Sequence, residues 1–130
     1  MTRQNFLRYA LLADAIASGA TGVLLIAGAG LLDGLLGLPV ALMREAGLLL
    51  VPYVAFVAYV GTREHILRPA VQTVIALNVV WTVCSIGLLL TDYVAPTALG
   101  TAFVIAQAAV VAVFAELQFI GLRRESLATV

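Results

Sequence analysis

The chain has 130 residues, of which 63% are apolar and 11% charged, with a mean hydropathy of +1.11. A water-soluble domain of that size carries roughly half apolar and a quarter charged residues, so this chain lacks the polar surface to cover a core, and the excess must face lipid. Seven arginines, no lysine and seven acids give a formal net charge of zero, which excludes the concentrated basic face that a nucleic-acid partner requires. Cys84 is the only cysteine, so an intramolecular disulfide and a cysteine metal cluster are both excluded. It reads as a small buried hydrophobe.

A hydrocarbon core of about 30 Å needs about 20 helical residues, and four stretches meet that length. The first is the charge-free run Ala15 to Leu32, extended back across Asp14 to Tyr9, which gives a span over 9–32. Arg3 and Arg8 before an apolar run resemble a signal peptide. However, a signal h-region has only about 7–15 residues and should not contain an acid, so an uncleaved span is expected. Gly28-Ala29-Gly30 near its end marks fraying toward a turn. The second span runs over 39–62, opened by Pro39 as a first-turn proline and carrying Arg44 and Glu45 at the membrane surface. Pro69 and Pro96 open the third and fourth, over 69–91 and 96–121. Strands are excluded, because apolar and polar residues do not alternate and lipid-exposed backbone must satisfy its own hydrogen bonds.

The arginines then orient the chain. Arg3, Arg8, Arg63, Arg68, Arg123 and Arg124 flank the spans on one side, and Arg44 stands alone on the other beside Asp33, Glu45 and Asp92. That asymmetry predicts a multi-pass inner-membrane protein with both termini and the central loop in the cytoplasm. The halves 7–64 and 67–125 also resemble each other. Each has a Leu-Arg entry, an apolar helix, a turn opened by Asp and closed by Pro, a second apolar helix and a Gly-x-Arg exit. A unit with an even number of spans returns to its starting side, so the halves would be a parallel repeat. The expected fold is therefore all-α: one transmembrane domain over 1–130, a four-helix bundle of two parallel repeated hairpins.

Polar residues inside the spans are where function would reside. Asp14, Ser18 and Thr21 are spaced i, i+4, i+7, and Asn78, Thr82 and Ser85 repeat that spacing, so the first and third helices each carry a polar stripe expected to face the interior. Ala15, Ser18, Gly19 and Gly22 form overlapping small-xxx-small pairs suited to close packing. On the fourth helix, Ala102, Ile105, Ala109, Ala112 and Glu116 make an alanine-rich face expected to bring Glu116 into the bundle. A second face carries Gln107, Val111, Phe114 and Gln118. Trp81 lies well inside its span, and its indole N–H needs a partner there.

Apart from Glu45 at the membrane surface, Asp14 and Glu116 are the only acids within the spans, each placed roughly 7–8 Å below the cytoplasmic surface, with Asn78 roughly 13 Å down. An ionised carboxylate in the membrane costs about 2.5–3.5 kcal/mol even on the lenient scale, so it should be neutral, paired or wet. Three arrangements compete: a shared Asp14–Glu116 proton or cation site with Asn78, separate pairing of each acid to a snorkelling arginine, or escape of both to interfacial water. His65, in the central loop, reads as a solvated side chain.

No paired-His metal motif, nucleophile elbow, Walker loop or dinucleotide loop occurs, so neither an enzyme nor a cofactor is expected. The expected function is that of a non-enzymatic subunit acting through helix packing, self-associating or accessory to a larger membrane complex. The alternative is an oligomeric transporter or channel for a proton, a cation or a small molecule, using Asp14, Glu116 and Asn78 with Ser18 and Thr82. Water at the carboxylates distinguishes the two.

Overall fold

The computed structural model describes residues 2–129, with side chains described for 5–124. These residues form five helices and no strands: α1 (Thr2–Ala27), α2 (Ala29–Leu36), α3 (Val40–Thr62), α4 (Arg68–Leu89) and α5 (Ala98–Thr129). Four are long and apolar enough to cross a bilayer, over Asn5–Ala27, Val40–Thr62, Arg68–Leu89 and Ala98–Arg124, the profile of a multi-pass membrane protein.

The first span ends earlier than the hydropathy suggests. At Gly28 the helix bends, with φ −96° and ψ 0°. The Gly28 N–H still donates to the Leu24 carbonyl at 2.8 Å, while the Gly28 carbonyl accepts from Leu31 and Leu32 at 3.0 and 2.9 Å. The chain therefore resumes as α2 after a single irregular residue, where fraying and a turn are expected from sequence. Gly37 then stops α2 at φ 69°, and its N–H donates to the Asp33 carbonyl. An added Cβ there would also lie 2.8 Å from the Thr97 nitrogen, so the turn needs glycine twice over.

Thr97 ties this turn to the far end of the chain. Its N–H donates to the Leu36 carbonyl at 3.0 Å and its hydroxyl to the Leu35 carbonyl at 2.7 Å, while its Oγ1 accepts from the Gly100 N–H at 3.0 Å. One side chain thus caps the end of α2 and the start of α5.

The helices pack as two hairpins, α1 on α3 and α4 on α5, joined through α1 and α5; α3 and α4 scarcely touch. The α1–α3 crossing is made close by glycine. A Cβ on Gly47 would lie 2.7 Å from Ile26 Cγ1 and 2.9 Å from the Gly22 carbonyl oxygen. Pro52, inside α3, removes the donor that would have met the Leu48 carbonyl.

Two apolar clusters fill the bundle. One, at the end holding the α1 N-terminus, includes Leu7, Leu11, Val57, Val71, Val74 and Leu122. The other includes Leu25, Leu36, Met43, Leu50, Val94 and Val104. Tyr53 packs against both.

Arginines finish the first end. Arg8 donates to the Gly61 carbonyl at 2.6 Å, satisfying a free carbonyl at the end of α3. Arg63 and Arg124 lie 4.9 Å from the rings of Tyr59 and Phe6, within cation–π range.

Candidate functional site: a polar layer across four spans

Between the two apolar clusters lies a hydrogen-bonded layer to which every spanning helix contributes. α1 supplies Asp14 and Ser18, α3 supplies Tyr53, α4 supplies Asn78 and α5 supplies Gln118. Asp14 and Gln118 are 0% exposed and Asn78 is 3% exposed. The Asp14 carboxyl is the hub. Its Oδ1 accepts from the Ser18 hydroxyl at 2.9 Å. Its Oδ2 is approached by the Tyr53 hydroxyl at 2.6 Å, Asn78 Nδ2 at 2.9 Å and Gln118 Nε2 at 2.8 Å.

Two further contacts close the ring. Asn78 Nδ2 donates to Gln118 Oε1 at 3.0 Å, and the Tyr53 hydroxyl lies 2.7 Å from Asn78 Oδ1. Every partner of Asp14 is neutral. Buried polar groups in lipid are tolerated when satisfied, and this layer does so by linking helices that apolar surface alone would not hold in register.

Along α1, Asp14 lies nine residues beyond Asn5, roughly 13 Å up the helix axis.

Glu116 does not join it. Two residues from Gln118, about 200° around the helix, it faces outward. It is exposed and lines a shallow groove between α4 and α5 with Val79, Thr82, Ala112 and Phe119. The alanine-rich face is the outer one: Ala102, Ile105, Ala109 and Ala112 are all exposed, while Gln107, Val111 and Phe114 turn inward with Gln118. A shared Asp14–Glu116 site is thus replaced by Asp14–Gln118.

Only part of each stripe enters the layer. Thr21, Thr82 and Ser85 donate to the carbonyls of Ala17, Asn78 and Trp81 in their own helices. Trp81 finds its partner in Gln107, donating to Oε1 at 2.8 Å. Among the described residues, no group of three or more His, Cys, Asp or Glu could hold a metal.

Beside the layer, the separation of α3 from α4 leaves a groove of about 690 Å³. Leu49, Pro52 and Phe56 line one wall, Leu77, Val80 and Cys84 the other, and Tyr53 and Asn78 stand at its floor. Cys84 is exposed there instead of buried.

These features define a polytopic helical membrane bundle closed by a buried polar layer. Comparison with protein-family models, with curated proteins and with solved structures gives no match.

Proposed function

We propose that this protein is a non-enzymatic inner-membrane subunit that acts through helix packing, offering its α3–α4 seam to a transmembrane helix of a second copy or of a larger complex. The observation that supports this is the seam itself: two adjacent spans scarcely touch, and the groove between them is walled by apolar side chains. In lipid, helices associate through close packing, and a long groove flanked by two helices offers a third more contact than a smooth face does. The transport alternative calls for water at the carboxyls. Asp14 is enclosed among neutral partners and Glu116 stands apart from it, which favours a packing role.

The arginine asymmetry supports cytoplasmic termini and a cytoplasmic central loop. Packing of the chain as two hairpins, α1–α3 and α4–α5, supports a duplicated parallel repeat, in which α2 is an addition to the first half.

Cys84 provides the test, since it is the single cysteine and lines the groove. Oxidation of membranes with a lipid-permeant oxidant should give a disulfide-linked dimer of this chain, or a mixed disulfide with a membrane partner identified by mass. Cys84→Ala should abolish either product. A chain that stays monomeric under oxidation and carries no partner through mild-detergent purification would rule the reading out.

A further inference from the structure

We infer that the polar layer is a proton-binding site: Asp14 holds a proton in the folded bundle, and that proton completes the tie between α3 and α4. The layer has more close contacts than an ionised Asp14 leaves hydrogens to fill. Five close contacts join Asp14 Oδ2, Tyr53, Asn78 and Gln118 into a fused ring. Each needs one hydrogen between two heavy atoms. The Asn78 amide supplies two, the Gln118 amide one toward Asp14, and the Tyr53 hydroxyl only one. Yet the Tyr53 oxygen meets two acceptors, Asp14 Oδ2 at 2.6 Å and Asn78 Oδ1 at 2.7 Å. With an ionised carboxylate, one of these becomes an oxygen–oxygen contact with no hydrogen in it.

Turning the side-chain amides over does not help. With Asn78 reversed, its oxygen faces Asp14 Oδ2, and a second oxygen pair forms at Gln118 whichever way that amide points. With Gln118 alone reversed, its nitrogen meets the nitrogen of Asn78 and its oxygen meets Asp14. Every arrangement of an ionised Asp14 therefore leaves at least one contact unbridged. Adding a single proton to Oδ2, in the amide orientation described, fills all five. Asp14 then donates to Tyr53, and Tyr53 donates to Asn78.

Among the described residues, the hydrogen-bond partners of the Asp14 carboxyl carry no formal charge. Of the side chains bonded around the carboxyl, Ser18 on α1, Asn78 on α4 and Gln118 on α5 are neutral, and Tyr53 on α3 is the one titratable neighbour. Loss of the proton would place a charge among neutral partners and set Tyr53 against Asn78 across an empty oxygen pair. That contact is the hydrogen bond by which α3 reaches α4, so the proton governs the one seam the apolar packing leaves open.

Infrared spectroscopy of the protein in lipid vesicles tests this directly. The aspartates are Asp14, Asp33 and Asp92, and the latter two are exposed. With carboxyl-labelled aspartate, the unaltered protein at neutral pH should show an isotope-shifted carboxylic-acid C=O band that moves in D2O. The band should vanish in Asp14→Asn and persist in Glu116→Gln. In Tyr53→Phe, which removes the oxygen to which Asp14 donates, the acid band should remain and move to higher frequency, as it does for an acid that has lost its hydrogen-bond acceptor. A labelled unaltered protein with carboxylate bands alone would overturn the inference without any variant. So would an acid band that survives Asp14→Asn.

Discussion

The α1–α3 and α3–α4 seams share one helix and behave as opposites. Along the first, Gly47 lets α3 approach so closely that its Cβ position falls 2.9 Å from a backbone oxygen of α1. Along the second, proline, leucine and phenylalanine face a groove of about 690 Å³, and a hydrogen bond from Tyr53 to Asn78 crosses it. The contrast shows what holds a small bundle together in lipid. Burying apolar surface against a neighbour gains little when acyl chains are equally apolar, so a seam closes where small residues permit backbone approach and otherwise depends on polar links.

The largest expected effect comes from filling the close seam. Gly47→Leu places a branched side chain where even a methyl group meets Ile26 and the Gly22 carbonyl, and should destabilise the bundle by about 3 kcal/mol, at the upper end for overpacking. Thermal unfolding in mild detergent, followed by circular dichroism, measures it. A variant as stable as the parent would show that α1 and α3 are not held by close approach.

Next comes the polar link. Asn78→Leu removes the donor to Asp14 and Gln118 and the acceptor for Tyr53, and should cost about 1–2 kcal/mol, the range for polar contacts between membrane helices. It should also raise the rate at which a small thiol reagent reaches Cys84, because α3 and α4 lose their tie. An unchanged rate would mean that some other contact sets the width of the groove.

The smallest effects are expected outside the layer. Thr82→Val and Glu116→Gln should each change stability by less than about 0.5 kcal/mol, since Thr82 bonds only its own helix and Glu116 faces outward. A loss of 2 kcal/mol in either would place an unseen partner on that outer face.

Hydropathy and length made the four spans legible, and helical spacing made Asp14, Ser18 and Asn78 legible as parts of one polar system. The inward face of α5 was not. In a soluble helix the apolar side marks the core, but in lipid both sides are apolar, so phasing offers no direction. The acid Glu116 drew attention as the expensive group, while Gln118, a neutral amide that both donates and accepts, suited a buried ring better. Its clue was present in the spacing that sets Gln107 and Gln118 on one face. Tyr53 was hidden because a tyrosine in a span also suits the membrane interface, and its depth depends on where the helix starts. The segment of the short helix α2 reads as a turn because Asp33 stands among Gly28, Gly30, Gly34 and Gly37, whereas the side chain that caps its end, Thr97, comes from about sixty positions away.

The order of synthesis gives the polar layer a history. Asp14 is made 104 residues before Gln118, and at about 5–20 residues per second that interval is roughly 5–20 s. During it, α1 has entered or is entering the membrane with its carboxyl lacking the last of its three partners from other helices. Ser18, one turn along the same helix, is the partner available from the outset. Until the final helix is made, the Asp14 carboxyl therefore lacks the Gln118 amide, and completion of α5 is the event that closes the layer.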